Sequence, residues 1–197
     1  MRVERLEREY EIDVDWQPYE LHPEFPAEGI DRGGSGRRSP MYERLREMAR
    51  EAGHTFQPST HVPNSHRSLE AAEFAREHGA FAPYHRSLFD AFFSRGRDIG
   101  DVKVLTELGE AAGLDAGALE QALTSKRYAA LVDQRTAEAK RSGITGTPTF
   151  VFRSGEREFP MVGAQDYAVF ENVAQRMGAG KRTENLEPRT EGSYRRP

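Results

Sequence analysis

Apolar residues recur along the chain at two periods, and the changes from one period to the other outline its elements. Val3, Leu6 and Tyr10 stand at helical spacing and predict a short amphipathic helix over residues 2–10. Ile12, Val14 and Trp16 then alternate with Asp13, Asp15 and Gln17, which predicts a one-sided strand ended by Pro18. After the Pro/Gly-rich loop HPEFPAEGIDRGGSGRRSP, helical spacing returns over 41–53 and stops at Gly53. The loop 59–66 holds Asn64 and Ser65, either of which can cap the helix HRSLEAAEFAREHG. FAPYHRSLFDAFFSRG reads as a strongly apolar helix, with Leu88, Phe89, Phe92 and Phe93 expected to face the core. Asp101 and Asp115 are placed to cap helices over 102–112 and 116–124, and a further helix runs from Ser125 or Lys126 to Gly143. TPTFVFRSG and EREFPMVG predict a hairpin turning at Ser154-Gly155, and AQDYAVFENVAQRMG a last amphipathic helix. The polar tail has no apolar periodicity and is expected to be disordered.

A strand separated from a hairpin by a run of helices predicts an α/β fold with a helical insertion. The 197 residues suit one domain, or a core with an inserted subdomain. A net charge of -4 argues against a nucleic-acid partner, which favours a basic surface. No apolar run approaches membrane-spanning length and the N-terminus has no signal-peptide core, so no membrane is expected and the cytoplasm is the expected location. The chain has no cysteine, which excludes disulfides, thiolate metal sites and cysteine nucleophiles within it.

Three stretches, taken in order and spacing, resemble the DsbA-family thiol–disulfide oxidoreductases of the FrnE type. They are RVERLEREYEIDVDWQPYELHPEFPAEG, FDAFFSRGRDIGDVKVLTELGEAAGLD, and AEAKRSGITGTPTFVF with VGAQDYAVFENV. The resemblance covers roughly residues 2–178 and implies a thioredoxin-like sheet with an inserted helical subdomain. It places a thioredoxin-like core at 1–40 and 143–178, the insertion at 41–142 and the disordered tail at 179–197. It also implies a cis Thr147-Pro148 step, with Gly146, Thr147 and Pro148 beside the backbone of a bound extended peptide or small thiol. His22 is assigned loosely to the same groove. X–Pro bonds are otherwise mostly trans, so the cis expectation comes from the resemblance.

The chain departs from the family at the reactive position. The family's first strand and its CxxC motif would lie upstream of Met1. Thiol–disulfide exchange runs through a thiolate and a mixed disulfide, which Ser, Thr and Asp cannot supply. The first strand would also lie between the strand resembling 11–17 and the one resembling 148–153, so both are expected to lack a ladder partner. The first helix has no capping residue and starts mid-pattern, which favours a truncated product or a misplaced start, with the cysteines encoded upstream. Three functions follow as expectations: a DsbA-like oxidoreductase whose cysteines are absent from this chain; a redox-inactive protein that binds peptides or thiols; and a glutathione-dependent isomerase of the 2-hydroxychromene-2-carboxylate isomerase type. No resident cofactor is expected, and a homodimer is possible.

The remaining constellations have plainer readings. Gly33, Gly34 and Gly36 match neither dinucleotide nor P-loop spacing and read as a flexible loop. The six histidines show no metal-ligand spacing, so no metal site is expected. His78 suits a helix C-terminus and His85 a packed or rim position. Asp13 and Asp15 read as a solvated strand face. Tyr19, Phe74, Phe81 and Tyr84 read first as core and second as a groove lining.

Overall fold

A computed structural model describes residues 2–33, 40–57 and 59–182. The chain divides into two compact units, one made of Met1–Gln17 with Glu138–Pro197 and the other of Pro18–Ala137. Of the residues assigned on sequence to the thioredoxin-like part, 18–33 and 40 group with the helices of the second unit.

The first unit is built from the two ends of the chain. Helix α1 (Arg2–Glu9) buries Val3 and Leu6, the positions its periodicity picks out. Strands β3 (Thr149–Ser154) and β4 (Arg157–Val162) form an antiparallel hairpin in the register Thr149↔Val162 to Ser154↔Arg157. Gly155 opens its two-residue turn at positive φ, where a side chain would be strained. Helix α8 (Tyr167–Arg176) contributes Phe170, Val173 and Ala174, which join Val3, Leu6, Tyr10 and Met161 in one apolar cluster. Phe150 meets Phe170 edge-on at 4.8 Å. Tyr10 is fully buried, and its hydroxyl donates to Glu171 and accepts from Gln175 Nε2 at 2.8 Å. Burial of that ring therefore leaves no stranded polar atom.

Residues 11–17 depart from expectation. Ile12, Val14 and Trp16 do pack against the cluster while Asp13 and Asp15 stay exposed, as the alternation implies. The segment joins no ladder among the described residues, because a strand is defined by its neighbour and no neighbouring strand lies beside it. Its start is held instead by residues 180–182. Glu11 N donates to Gly180 O, Tyr10 bridges Lys181, and Arg182 N donates to Glu9 O. The expected disorder of the tail is thereby corrected for 179–182: Ala179 N donates to Ala174 O on α8, Gly180 O accepts from Glu11 N, and Arg182 bonds Glu7 O and Glu9 O of α1. Residues 183–197 lie outside the described residues.

The second unit is helical. It contains α2 (Pro40–Glu51), α3 (His66–Glu77), α4 (Phe81–Phe89), α5 (Val102–Ala111), α6 (Ala116–Thr124) and most of α7 (Ala129–Arg141). Asp101 and Asp115 accept from the backbone N–H groups of Lys103 and Ala118, the capping bonds their positions predict. Phe74, Tyr84, Leu105, Leu119 and Val132 are fully buried. Tyr84 donates its hydroxyl to Leu105 O, and burial pushes its ionisation far up.

Two features of this unit escaped the periodicity. The first is the two-residue ladder of β1 (Ile30–Asp31) and β2 (His61–Val62). Gly29 precedes it at positive φ, where a Cβ would lie 2.6 Å from Val62 O. The second is a π-helical segment, Asp90–Ser94, that continues α4. Phe89, the last residue of α4, and Phe93, within the wider π turn, are both exposed, while Leu88 stays in the core. The expectation that these phenylalanines face the core is therefore corrected for Phe89, which lies one residue round the helix from buried Leu88, and for Phe93.

Candidate functional site

The loop between α7 and β3 carries the residues singled out at the sequence level. Helix α7 ends in a Schellman arrangement, with Gly143 at positive φ, Ile144 N donating to Ala139 O and Gly143 N to Lys140 O. The chain then leaves the helix through Thr145 and Gly146 to Thr147 and Pro148, whose peptide bond is cis. Thr149 donates its hydroxyl to Gly146 O at 2.7 Å, and Gly163 N donates to Pro148 O at 2.8 Å. These two bonds pin the loop to the hairpin. Thr147 and Pro148 are exposed, and among the described residues the Thr147 main chain makes no backbone hydrogen bond. The arrangement leaves a donor and an acceptor facing solvent at the mouth of a two-stranded ladder. Gly146 has open space where a side chain would begin.

His22 belongs to the other unit, where its partners are local. Its Nδ1 lies 2.9 Å from Glu24 Oε1, and its ring stacks on Phe25 at 4.5 Å. Gly146, Thr147 and Pro148 come together on one loop, and His22 lies in a different unit. Phe74, Phe81 and Tyr84 are closed in the helical core, which accounts for them as packing. Gly34 and Gly36 lie outside the described residues.

One group of side chains went unnoticed in the sequence. Glu20, His66 and Asp133 each offer a ligand atom, all within 4.8 Å of one another. His66 Nδ1 lies 2.9 Å from Glu20 Oε2, and Nε2 lies 3.7 Å from Glu70 Oε1. Glu20 and Glu70 are buried, and burial pushes the Glu70 carboxyl above the usual carboxylate range. His66 N donates to Asn64 Oδ1 at 2.8 Å, fixing the start of α3. Glu20 N donates to Thr136 Oγ1 at 3.0 Å, one turn beyond Asp133 on α7. No sequence spacing could have found the group, because it draws on three separate segments. His61 stands between Asp31 and Asp98, 3.4 Å from each, and His78 Nδ1 is 2.8 Å from Phe74 O.

A proline-entered hairpin packed by a terminal helix, with a block of helices inserted ahead of it in the chain, defines a thioredoxin-like α/β protein. The model of the DSBA-like thioredoxin domain matches residues 1–175, and the chain belongs to that family. It is 30% identical over 167 residues to the uncharacterized protein YwbO of Bacillus subtilis (strain 168), covering 83% of this chain and 81% of that one. Its fold is similar to the crystal structure of the probable DsbA oxidoreductase SCO1869 from Streptomyces coelicolor. The TM-score is 0.72 at 21% identity, over 91% of this chain and 80% of the other. The cytosolic disulfide reductase DsbM from Pseudomonas aeruginosa is a more distant likeness, with a TM-score of 0.56 at 21% identity over 76% and 80% of the two chains. Among the described residues, no helix is long and apolar enough to cross a membrane. This family member has no cysteine.

Proposed function

We propose that this chain is a binding member of its family, taking an extended peptide or a small thiol along Gly146, Thr147 and Pro148 and performing no thiol–disulfide exchange with its own atoms. The observation that carries the reading is the exposed Thr147 main chain, left without a backbone partner while its neighbours are tied down. An extended ligand can add to such groups as a further strand adds to a sheet edge, with affinity from the main chain. The chemistry is limited by composition, since exchange proceeds through a thiolate and the chain holds none. We propose the cytoplasm as the location, in line with the cytosolic disulfide reductase of Pseudomonas aeruginosa whose fold it resembles.

The test pairs a redox assay with a binding assay. Insulin reduction by the 197-residue chain is expected to equal the blank, and turnover above it overturns the assignment. An unfolded reporter peptide and reduced glutathione are titrated separately against the wild type and Gly146→Trp. The substitution fills open space beside the loop, so the fold survives it. Binding of either ligand that weakens about tenfold or more, a loss of roughly 1.4 kcal/mol, supports the site. Absence of binding by the wild type, or binding indifferent to the tryptophan, removes it.

A further inference from the structure

We propose that Glu20, His66 and Asp133 form a site for one divalent transition-metal ion, of which Zn2+ is the best match, with Glu70 as the outer acceptor that orients the histidine. The proposal starts from charge. Three carboxylates, two of them buried, converge on a single imidazole. A buried carboxylate is costly unless a cation or several hydrogen bonds compensate it. A dication held by Glu20, Asp133 and a neutral His66 makes a neutral set, and mixed imidazole and carboxylate donors suit zinc.

The two faces of His66 carry the argument further. Nδ1 points to the Glu20 side at 2.9 Å and Nε2 to Glu70 at 3.7 Å. Metal-bound histidines commonly direct the other ring N–H at a carboxylate, which fixes the tautomer and the ring plane. Glu70 sits in that position on the next turn of the same helix, 2% exposed, with Oε2 lacking any hydrogen-bond partner. The oxygen that faces the imidazole is Oε1, so this buried carboxylate stands behind the histidine where an outer acceptor is needed.

The carriers are also pinned. Asn64 fixes His66 and Thr136 fixes Glu20, each through a backbone bond made by the ligand residue itself. Asp133 is exposed, so the ion has a path from solvent and a coordination position left for water. Ligand atoms around zinc stand about 3.4 Å apart when each bond is about 2.1 Å. From a present spread of up to 4.8 Å, the ligand atoms draw in on binding the ion.

The experiment is calorimetric titration of the full chain with Zn2+, with Co2+ absorption as a second readout. One equivalent of Zn2+ is expected, with Co2+ giving a spectrum of nitrogen and oxygen ligation. Asp133→Asn and His66→Gln are expected to abolish that binding, Glu70→Gln to weaken it about 10–100-fold, and His54→Gln to leave it unchanged. Asp133 is exposed, so its variant stays folded even where His66→Gln does not. A protonated His66 bridging Glu20 and Glu70 without metal needs no Asp133. Failure of the wild type to take up an equivalent, or uptake unaffected by Asp133→Asn, overturns the proposal.

Discussion

Tyr10 shows how much a single hydroxyl matters in a small core. Its ring is fully buried and its oxygen joins Glu171 and Gln175. Tyr10→Phe removes both bonds while the exposed Gln175 amide can turn to water, so a loss of about 1 kcal/mol is expected in urea denaturation. His85 illustrates the opposite case. Burial against Phe81 and Phe89 lowers its pKa to about 4, with Arg76 adding to the shift. The unfolded chain takes up a proton near pH 6.5 that the folded chain refuses until about pH 4. Stability from this group is therefore complete above pH 6.5 and is lost as pH falls towards 4. His85→Leu should show a smaller drop in stability between pH 7 and pH 5 than the wild type, and an equal drop would refute the shift. That His85 is packed was legible from the apolar helix around it, but the size of its shift depends on neighbours the pattern cannot name.

Among the elements, α5 and α6 were the most readable. Each begins at an aspartate whose carboxylate accepts a backbone N–H in the first turn. Asp101→Ala and Asp115→Ala should each cost about 1 kcal/mol, measured by thermal unfolding. Gly109 shows where local preference fails. Helix propensity alone credits Gly109→Ala with a gain of about 1 kcal/mol. The new Cβ would, however, lie 2.7 Å from Leu119 Cδ2, a side chain with no exposure at all. Overpacking of this kind costs about 1–3 kcal/mol, so the variant should be less stable than its propensity predicts, and a full gain would show that Leu119 moves freely. The segment at 11–17 was half readable for a related reason. Alternation marks which side chains are buried, whereas a strand needs a second chain to bond with. The π segment after α4 was not readable, because its extra residue leaves no compositional trace, and Phe93 within it is exposed.

At the scale of the whole chain, the first unit depends on contacts between residues more than 140 positions apart, such as Leu6 and Tyr10 with Phe170 and Val173. Phe170→Ala should cost about 3–5 kcal/mol and raise amide exchange across α1, β3 and α8 together, since one cluster serves all three. Exchange raised in α8 alone would contradict a shared core. By itself the sequence determined the capped helices α5 and α6 and the hairpin, which spacing within a short window sets, the family, which the order of three stretches carries, and the absence of any thiol, which composition states. Only the tertiary structure decided that residues 180–182 hold the end of α1, that Thr147 keeps its main chain open beside a pinned proline, and that Glu20, His66 and Asp133 converge. The first and the last join segments distant in the chain, the second depends on which main-chain groups the folded loop leaves unpaired, and no local periodicity records either.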